Sequence, residues 1–250
     1  MHNIPGATHK LAQSIRAAGW LLTGLAALPL PAAFAADSTD QEPTLKSVTV
    51  TATRREESLQ KVPVAVSVID GEQLERDNRN SVASIVQQVP SLNFRTGASN
   101  KDTSLFVRGV GTISTSPGVE PTVATVIDGV VYARPGQYTL DLLDLERVEV
   151  LRGPQGTLFG KNASAGVLNI TSKAPTAETH GYIDQSYYSG NESRTRFGIG
   201  GSLIPETLKG SISTLFGTYD GNVDNQHNGQ EVNGYNHRGV RGKLEFTPND

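Results

Sequence analysis

Several residues in this chain are of the types that catalyse reactions or bind phosphate, but their spacing completes no known site. Ser58 and Lys61 have the Ser-x-x-Lys spacing of an acylating serine, and no Lys-Thr-Gly segment follows them. Residues 156–161 resemble a phosphate-binding loop. However, the spacing between their glycines is one residue too short, and Asn162 stands where a magnesium-binding hydroxyl belongs. These motifs therefore predict neither acyl transfer nor nucleotide binding.

A second group of polar residues has the spacing of a calcium-binding loop. Asp220, Asn222, Asp224 and Glu231 occupy positions 1, 3, 5 and 12 of such a loop, while Asn225 replaces the glycine of its turn. No helix is predicted on either side of the segment. A solvated loop is therefore the favoured interpretation, and calcium binding is left open.

The composition excludes further classes of protein. The 250 residues include no cysteine, so disulfides, thiolate nucleophiles and cysteine-ligated zinc are impossible. The 22 Lys and Arg residues are balanced by 25 Asp and Glu residues, which gives a net charge of −3 without a basic stripe. Nucleic-acid binding is therefore not expected. We predict that the protein is not an enzyme and that it holds no cofactor and no metal.

The N-terminus has the residue order of a secretory signal peptide. Two cations and no acid precede an apolar run over residues 17–28, which prolines then interrupt. Ala33 and Ala35 supply the small residues that a signal peptidase recognises. The apolar run is too short for a membrane-spanning helix. We predict that residues 1–35 are removed on export and that the mature chain begins at Ala36.

Residues 36–61 are predicted to form a periplasmic tether ahead of the first folded domain. Within it, residues 48–53 alternate β-branched and other side chains, which is typical of a strand. A single strand cannot bury a face by itself, so this one needs a partner. It is interpreted as an unpaired strand on a flexible tether, with the first strand of the following domain as the alternative.

Residues 62–174 are predicted to form an α+β domain. Asp128-Gly129 is a strong hairpin signal because both residues tolerate positive φ angles, and Asn80 or Ser81 can cap a helix. The predicted elements are strands over residues 62–69, 105–107, 122–127, 130–133, 148–151 and 167–171 and helices over residues 72–77, 82–89 and 140–145.

Residues 175–250 change to long alternating strands with one apolar face and one charged face. A tight turn is predicted at residues 205–207 and a long polar loop at residues 220–236. Strands of about ten residues, with short turns at one end and long loops at the other, are typical of an outer-membrane β-barrel. A soluble sandwich with one wet face is the alternative. The side chains assigned to the apolar face include Phe197, Ile199, Leu203, Ile212, Phe216, Leu244 and Phe246.

Six segments, taken in order, resemble the TonB box and plug domain of a TonB-dependent outer-membrane receptor. They are KSVTVTATR at 46–54, PVAVSVI at 63–69, VRGVG at 107–111, VIDGV at 126–130, RVEVLRGPQGTLFG at 147–160 and GVLNI at 166–170. The resemblance implies an α+β plug domain followed by the start of an antiparallel transmembrane β-barrel. At most four barrel strands are predicted, against about 22 in such transporters, so the sequence is interpreted as the N-terminal part of a longer receptor.

The resemblance also implies a function and site residues. The TonB box would lie at about residues 46–53, and strand addition by the periplasmic protein TonB would use Ser47, Val48, Thr49, Val50, Thr51 and Ala52. Arg108 and Arg152 match plug arginines that pair with glutamates of the barrel wall. The implied function is energy-coupled uptake of a small-molecule nutrient, most commonly a ferric siderophore, across the lipid of the cell outer membrane of a Gram-negative bacterium. A soluble periplasmic plug-like binding or adaptor module is the alternative.

Overall fold

The computed structural model describes residues 48–79, 81–97, 102–113, 118–134 and 142–248, all within one compact unit that comprises Lys46–Asp250. The predicted signal peptide and residues 36–47 of the predicted tether, Ser47 among them, lie outside these residues. Within these ranges, no helix combines the length and the apolar character that crossing a membrane requires.

The first part of the described chain consists of short strands and helices around a mixed five-stranded sheet. The elements are β1 (Thr49–Val50), β2 (Glu57–Ser58), a 3-10 turn (Leu59–Lys61), β3 (Ala65–Asp70), α1 (Gly71–Arg76), α2 (Val82–Val86), β4 (Leu92–Thr96), β5 (Thr103–Val107), β6 (Val110–Gly111), β7 (Val123–Ile127), β8 (Val130–Tyr132), β9 (Leu145–Arg152), α3 (Gly156–Phe159) and β10 (Gly166–Ser172). The sheet has the order β3-β9-β10-β7-β8, in which β10 and β7 are parallel and the other neighbours antiparallel, while β4, β5 and β6 form a smaller sheet. The predicted α+β class is confirmed.

Side chains of the five-stranded sheet alternate between two faces, and both faces are buried. On the first, which we call the helix face, Val148, Val150 and Leu168 pack with residues of α1 and α2. On the second, which we call the segment face, Leu151 and Val167 pack against the residues at the N-terminal end of the described chain. A sheet covered on both sides favours near-continuous apolar strands, and β7 is such a strand, whereas β9 carries charged residues between its apolar ones.

Side chains next to the helices explain where α1 and α2 begin. The Asp70 carboxylate accepts a hydrogen bond from the Glu72 amide at 2.8 Å, which satisfies one of the free N–H groups of α1. At α2, Ser81 and Ser84 form a reciprocal capping box. The predicted helix over 82–89 ends at Val86, short of the expected bound, and the chain continues to Val89 through tighter turns in which the Gln88 and Val89 amides donate to the carbonyl oxygens three residues back.

The predicted helix over residues 140–145 is wrong for the residues that the structure describes. Residues 142–144 are not helical, and strand β9 begins at Leu145. Leu145 lies opposite Ser172 of β10, so sheet pairing determines the conformation here. A short apolar run suits a buried strand as well as a helix, because periodicity does not separate the two.

The Asp128-Gly129 hairpin is confirmed. The two residues have φ angles of 49° and 82° and join β7 to β8. Positive φ at both central positions is the conformation that matches the twist of paired strands.

The remainder of the described chain is a four-stranded antiparallel sheet of order β11-β12-β13-β14. Its strands are β11 (His180–Tyr188), β12 (Glu192–Ile204), β13 (Leu208–Asp224) and β14 (Glu231–Phe246). Its outward face carries apolar side chains, including Ile183, Phe197, Ile199, Leu203, Ile212, Phe216, Val240, Leu244 and Phe246, all of which are exposed. The predicted alternation is confirmed.

The predicted loop over residues 220–236 is wrong in its bounds. Strand β13 continues to Asp224, and β14 begins at Glu231, directly opposite it. The rings of Tyr219 and Tyr235 lie 5.5 Å apart and supply a cross-strand contact that loop-like composition hides. Because Asp220, Asn222 and Asp224 belong to an extended strand, they do not wrap around a common point as a calcium loop must.

Candidate functional site

Residues 48–61, which we call the N-terminal segment, cover the segment face of the plug-like domain. Strand β1 pairs with β2, with Val50 opposite Glu57. Val50 and Ala52 are both 0% exposed and belong to one apolar cluster with Leu151, Val167 and other residues of the sheet. The prediction of an unpaired strand on a flexible tether is therefore wrong in this conformation. An apolar sheet face needs a cover, and this segment provides it.

A polar cluster lies under the middle of the segment. The Glu149 side chain is buried, and its Oε1 accepts hydrogen bonds from the Thr51 amide at 2.8 Å, the Thr51 hydroxyl at 3.0 Å and Arg147 Nε at 2.9 Å. Asn169 Nδ2 donates to Glu149 Oε2 at 3.2 Å and to the Thr51 hydroxyl oxygen at 3.1 Å. Through these hydrogen bonds, Thr51 binds the segment to β9, which carries Glu149, and to β10, which carries Asn169.

Arg54 closes the turn that follows the buried residues. Its amide donates to the Thr51 carbonyl oxygen at 2.8 Å, and its backbone has a φ angle of 59°. Its guanidinium group lies 5.1 Å from the centre of the Phe159 ring, a cation–π distance. The turn reverses the chain, so that residues 57–58 can pair with residues 49–50.

The structure separates the predicted TonB-binding residues into two kinds. Val48 and Thr49 are exposed, whereas Val50 and Ala52 are fully buried and Thr51 is half-buried. Ser47 lies outside the described residues. A partner strand can reach the buried residues only after they leave the segment face.

Arg108 and Arg152 occupy different parts of the domain. Arg108 is exposed, has a φ angle of 52° and lies in the turn between β5 and β6. Arg152 ends β9 and donates a hydrogen bond from Nε to the Ala65 carbonyl oxygen at 3.4 Å. Neither has an ion pair with a glutamate among the residues that the structure describes. Their pairing with barrel-wall glutamates stays a prediction.

Other residues, which the sequence did not single out, join the plug-like domain to the four-stranded sheet. The Asp144 carboxylate accepts hydrogen bonds from the Tyr182 and Ser213 hydroxyl groups. Arg241 donates to the Leu143 carbonyl oxygen. The contacts come from the charged and polar face of the sheet, so that face lies against the domain and the apolar face points away.

Lys243 makes the second polar connection between the domain and the sheet. Its Nζ donates to the Ser172 carbonyl oxygen at 2.9 Å and lies 3.5 Å from Asp128 Oδ1. Asp128 is held by hydrogen bonds from the Ser172 amide at 2.9 Å and hydroxyl at 2.7 Å. The only sequence signal for such residues is their alternation with apolar ones in β14, which indicates the face but not the partner.

Comparisons with known proteins agree with this architecture. Residues 58–167 match the family model of the TonB-dependent Receptor Plug Domain. The chain is 28% identical over 227 residues to the pesticin receptor of Yersinia enterocolitica, a match that covers 90% of this chain and 33% of that protein. It is 29% identical over 194 residues to the probable TonB-dependent siderophore receptor PirA of Acinetobacter baumannii, covering 70% of this chain and 25% of that protein.

Solved structures give the same result. The ferric yersiniabactin uptake receptor FyuA from Yersinia pestis superposes with a TM-score of 0.69 at 29% identity, covering 75% of this chain and 29% of that one. The chain spans about a third of the length of the pesticin receptors that it matches, at 33%. The chain therefore carries a plug domain of the TonB-dependent receptor family, followed by an antiparallel sheet that resembles the start of the receptor barrel.

Proposed function

We propose that this protein acts as a TonB-dependent receptor in the outer membrane of a Gram-negative bacterium and takes up ferric siderophores. The observation that carries the proposal is a plug domain whose polar contacts lie on one face of an antiparallel sheet, while the opposite face is apolar and exposed. An exposed apolar face of this kind suits lipid better than water. Export through the predicted signal peptide belongs to the same proposal.

The siderophore class rests on the relatives. The names of PirA and FyuA specify a siderophore receptor and a ferric yersiniabactin uptake receptor. Vitamin B12 transporters also match, at 28% identity over 192 residues for that of Photobacterium profundum. Because relatives of both kinds match this chain, the experiment must include both cargoes.

Coupling to TonB is assigned to residues 47–52. Strand addition needs an extended segment with free main-chain groups, and the short two-residue pairing of β1 with β2 is weak enough to be exchanged for a partner strand. Val50 and Ala52 must first leave the segment face, which costs about 1.5–3 kcal/mol for a valine side chain alone. Arg108 and Arg152 are proposed to secure the plug to barrel glutamates.

The experiment compares a strain that lacks the gene with the same strain complemented by it, under iron limitation. We expect the complemented strain to accumulate radioactive iron from at least one ferric siderophore and to stop doing so when an uncoupler removes the proton-motive force. Labelled cobalamin is the control cargo. Uptake of cobalamin instead would contradict the siderophore assignment, and uncoupler-resistant uptake of either cargo would contradict the receptor mechanism.

A further inference from the structure

The proposed coupling mechanism leaves the buried Glu149 side chain without a role. Glu149 lies at the centre of the segment face, in one row across the sheet with Val68, Asn169 and Val126. Its exposed fraction is 0%, and its hydrogen-bond partners are Thr51, Arg147 and Asn169, on the face that also carries the apolar cluster of Leu151 and Val167. A carboxylate is costly to bury unless ion pairs and hydrogen bonds compensate the loss of water.

Two of the four donors around Glu149 belong to the N-terminal segment rather than to the sheet. The Thr51 amide and hydroxyl both donate to Oε1, at 2.8 Å and 3.0 Å. The other two, Arg147 and Asn169, lie on β9 and β10 and stay with the carboxylate when the segment moves. The segment also covers Glu149. When the segment leaves, water therefore replaces the two Thr51 donors at the carboxylate.

Thr51 lies between Val50 and Ala52, so its hydrogen bond to Glu149 forms in the same register of the segment on the sheet that buries these two side chains. With Thr51 bonded to Glu149, the side chains on either side of it are fully buried. A slip of one residue would move the whole apolar set away from the sheet. The same slip would separate the Thr51 amide from its charged acceptor, so the apolar contacts and the hydrogen bond favour one and the same register.

We infer that Glu149 is a positioning residue that latches residues 48–52 onto the plug and so sets how often this segment is available to a partner strand. The inference rests on the proposed function, because it concerns the segment assigned to TonB. Arg147 holds the carboxylate, Asn169 orients it, and Thr51 is the element that is released. The latch is local, since none of these contacts reaches the helix face of the sheet.

The absence of cysteine from the chain allows a direct test in the whole protein, purified in detergent. Val50→Cys places a single thiol at a fully buried position, so that a polar maleimide reacts with it only when the segment opens. Glu149→Gln keeps the side-chain shape but sets an amide N–H₂ group against either the Asn169 amide or the Thr51 donors. We expect maleimide modification of the thiol introduced by Val50→Cys to become at least about tenfold faster when Glu149→Gln is added.

Two controls separate the latch from general stability. Glu146→Gln removes an exposed carboxylate that also contacts Arg147, and we expect a change within about twofold. Val150→Cys places the reporter on the helix face, where Val150 is 0% exposed, and Glu149→Gln is expected to leave its modification rate unchanged within about twofold. An equal rise at both reporter positions, or no rise at position 50, overturns the inference.

Thr51→Val supplies a second variant, which keeps the amide donor and removes the hydroxyl group that donates to Glu149 and accepts from Asn169. We expect it to accelerate modification at position 50 by about threefold, and we expect its effect to be smaller when Glu149→Gln is already present, since both changes act on one contact. Full additivity of the two effects would contradict a shared latch. The assay contains neither TonB nor a membrane potential, so its failure is distinct from a failure of siderophore uptake.

Discussion

Val50→Pro is expected to reduce energised siderophore uptake to the background of a strain that lacks the gene, while binding of the ferric siderophore to the cells stays nearly unchanged. Proline lacks the amide hydrogen that a strand ladder needs, so TonB could not pair along this segment. Val50 packs on the segment face of the plug and belongs to β1, so the same change also releases the segment from its resting position. Uptake of labelled iron and binding to energy-depleted cells measure the two effects.

Val50→Ala is the matched control for this prediction. It removes the buried methyl groups but keeps the main-chain donor, so we expect it to retain most of the uptake. Equal uptake by Val50→Pro and the parent protein would exclude this segment as the coupling element. Equal loss in both variants would show that side-chain packing, and not main-chain pairing, is what uptake requires.

Gly71→Ala is expected to destabilise the plug by about 3 kcal/mol, a large value for one methyl group, because the added atom meets backbone. Gly71 is the first residue of α1, and a Cβ there would lie 1.9 Å from the Leu145 carbonyl oxygen and 2.8 Å from that of Glu146. Strand β9 lies between β3 and β10 in the sheet and cannot yield without losing its pairing to both of them. Urea unfolding of a fragment comprising residues 36–175 measures the free energy of unfolding.

Gly156→Ala is the corresponding control, since Gly156 is also the first residue of a helix. A Cβ at this position meets no atom within 4 Å, and the backbone needs no positive φ angle. We therefore expect a free energy of unfolding that is unchanged or raised by up to about 1 kcal/mol. A similar loss of stability in both variants would contradict the close packing of α1 against β9.

Sequence reasoning predicted those features that depend on residues adjacent in the chain. Asp128-Gly129 needs no tertiary contact to favour its turn, and Ser81 caps α2 through a residue only three positions away. The alternation in β12 to β14 predicted which face is apolar, because strand geometry fixes that face once the period is known. The order of the plug motifs predicted the domain itself.

Contacts between distant residues could not be predicted in this way. Thr51 and Glu149 are 98 positions apart, and nothing near either residue indicates that they meet. The segment was interpreted as unpaired because its alternation shows a strand but not its partner. The same holds for Asp144, because its partners Tyr182 and Ser213 lie far along the chain, in the four-stranded sheet.

The polar composition of residues 220–236 led to a wrong prediction for another reason. Asn, Gly and Asp are depleted in strands of soluble proteins, so their density predicted a loop. In the structure, β13 and β14 continue because their residues find main-chain partners across the hairpin, up to Asp224 opposite Glu231. Pairing along a long hairpin outweighed the local preferences of its residues.

Disulfide cross-linking in living cells tests most directly the central claim that residues 48–52 rest on the plug and are the segment that TonB binds. Single cysteines at each of these positions, in a chain that otherwise has none, are combined with a TonB that carries cysteines in its pairing strand. We predict cross-links at positions 48–52 that increase when ferric siderophore is added, and none at the exposed Gln60. Cross-linking at Gln60 as strong as at these positions, or none at any of them, would contradict the account.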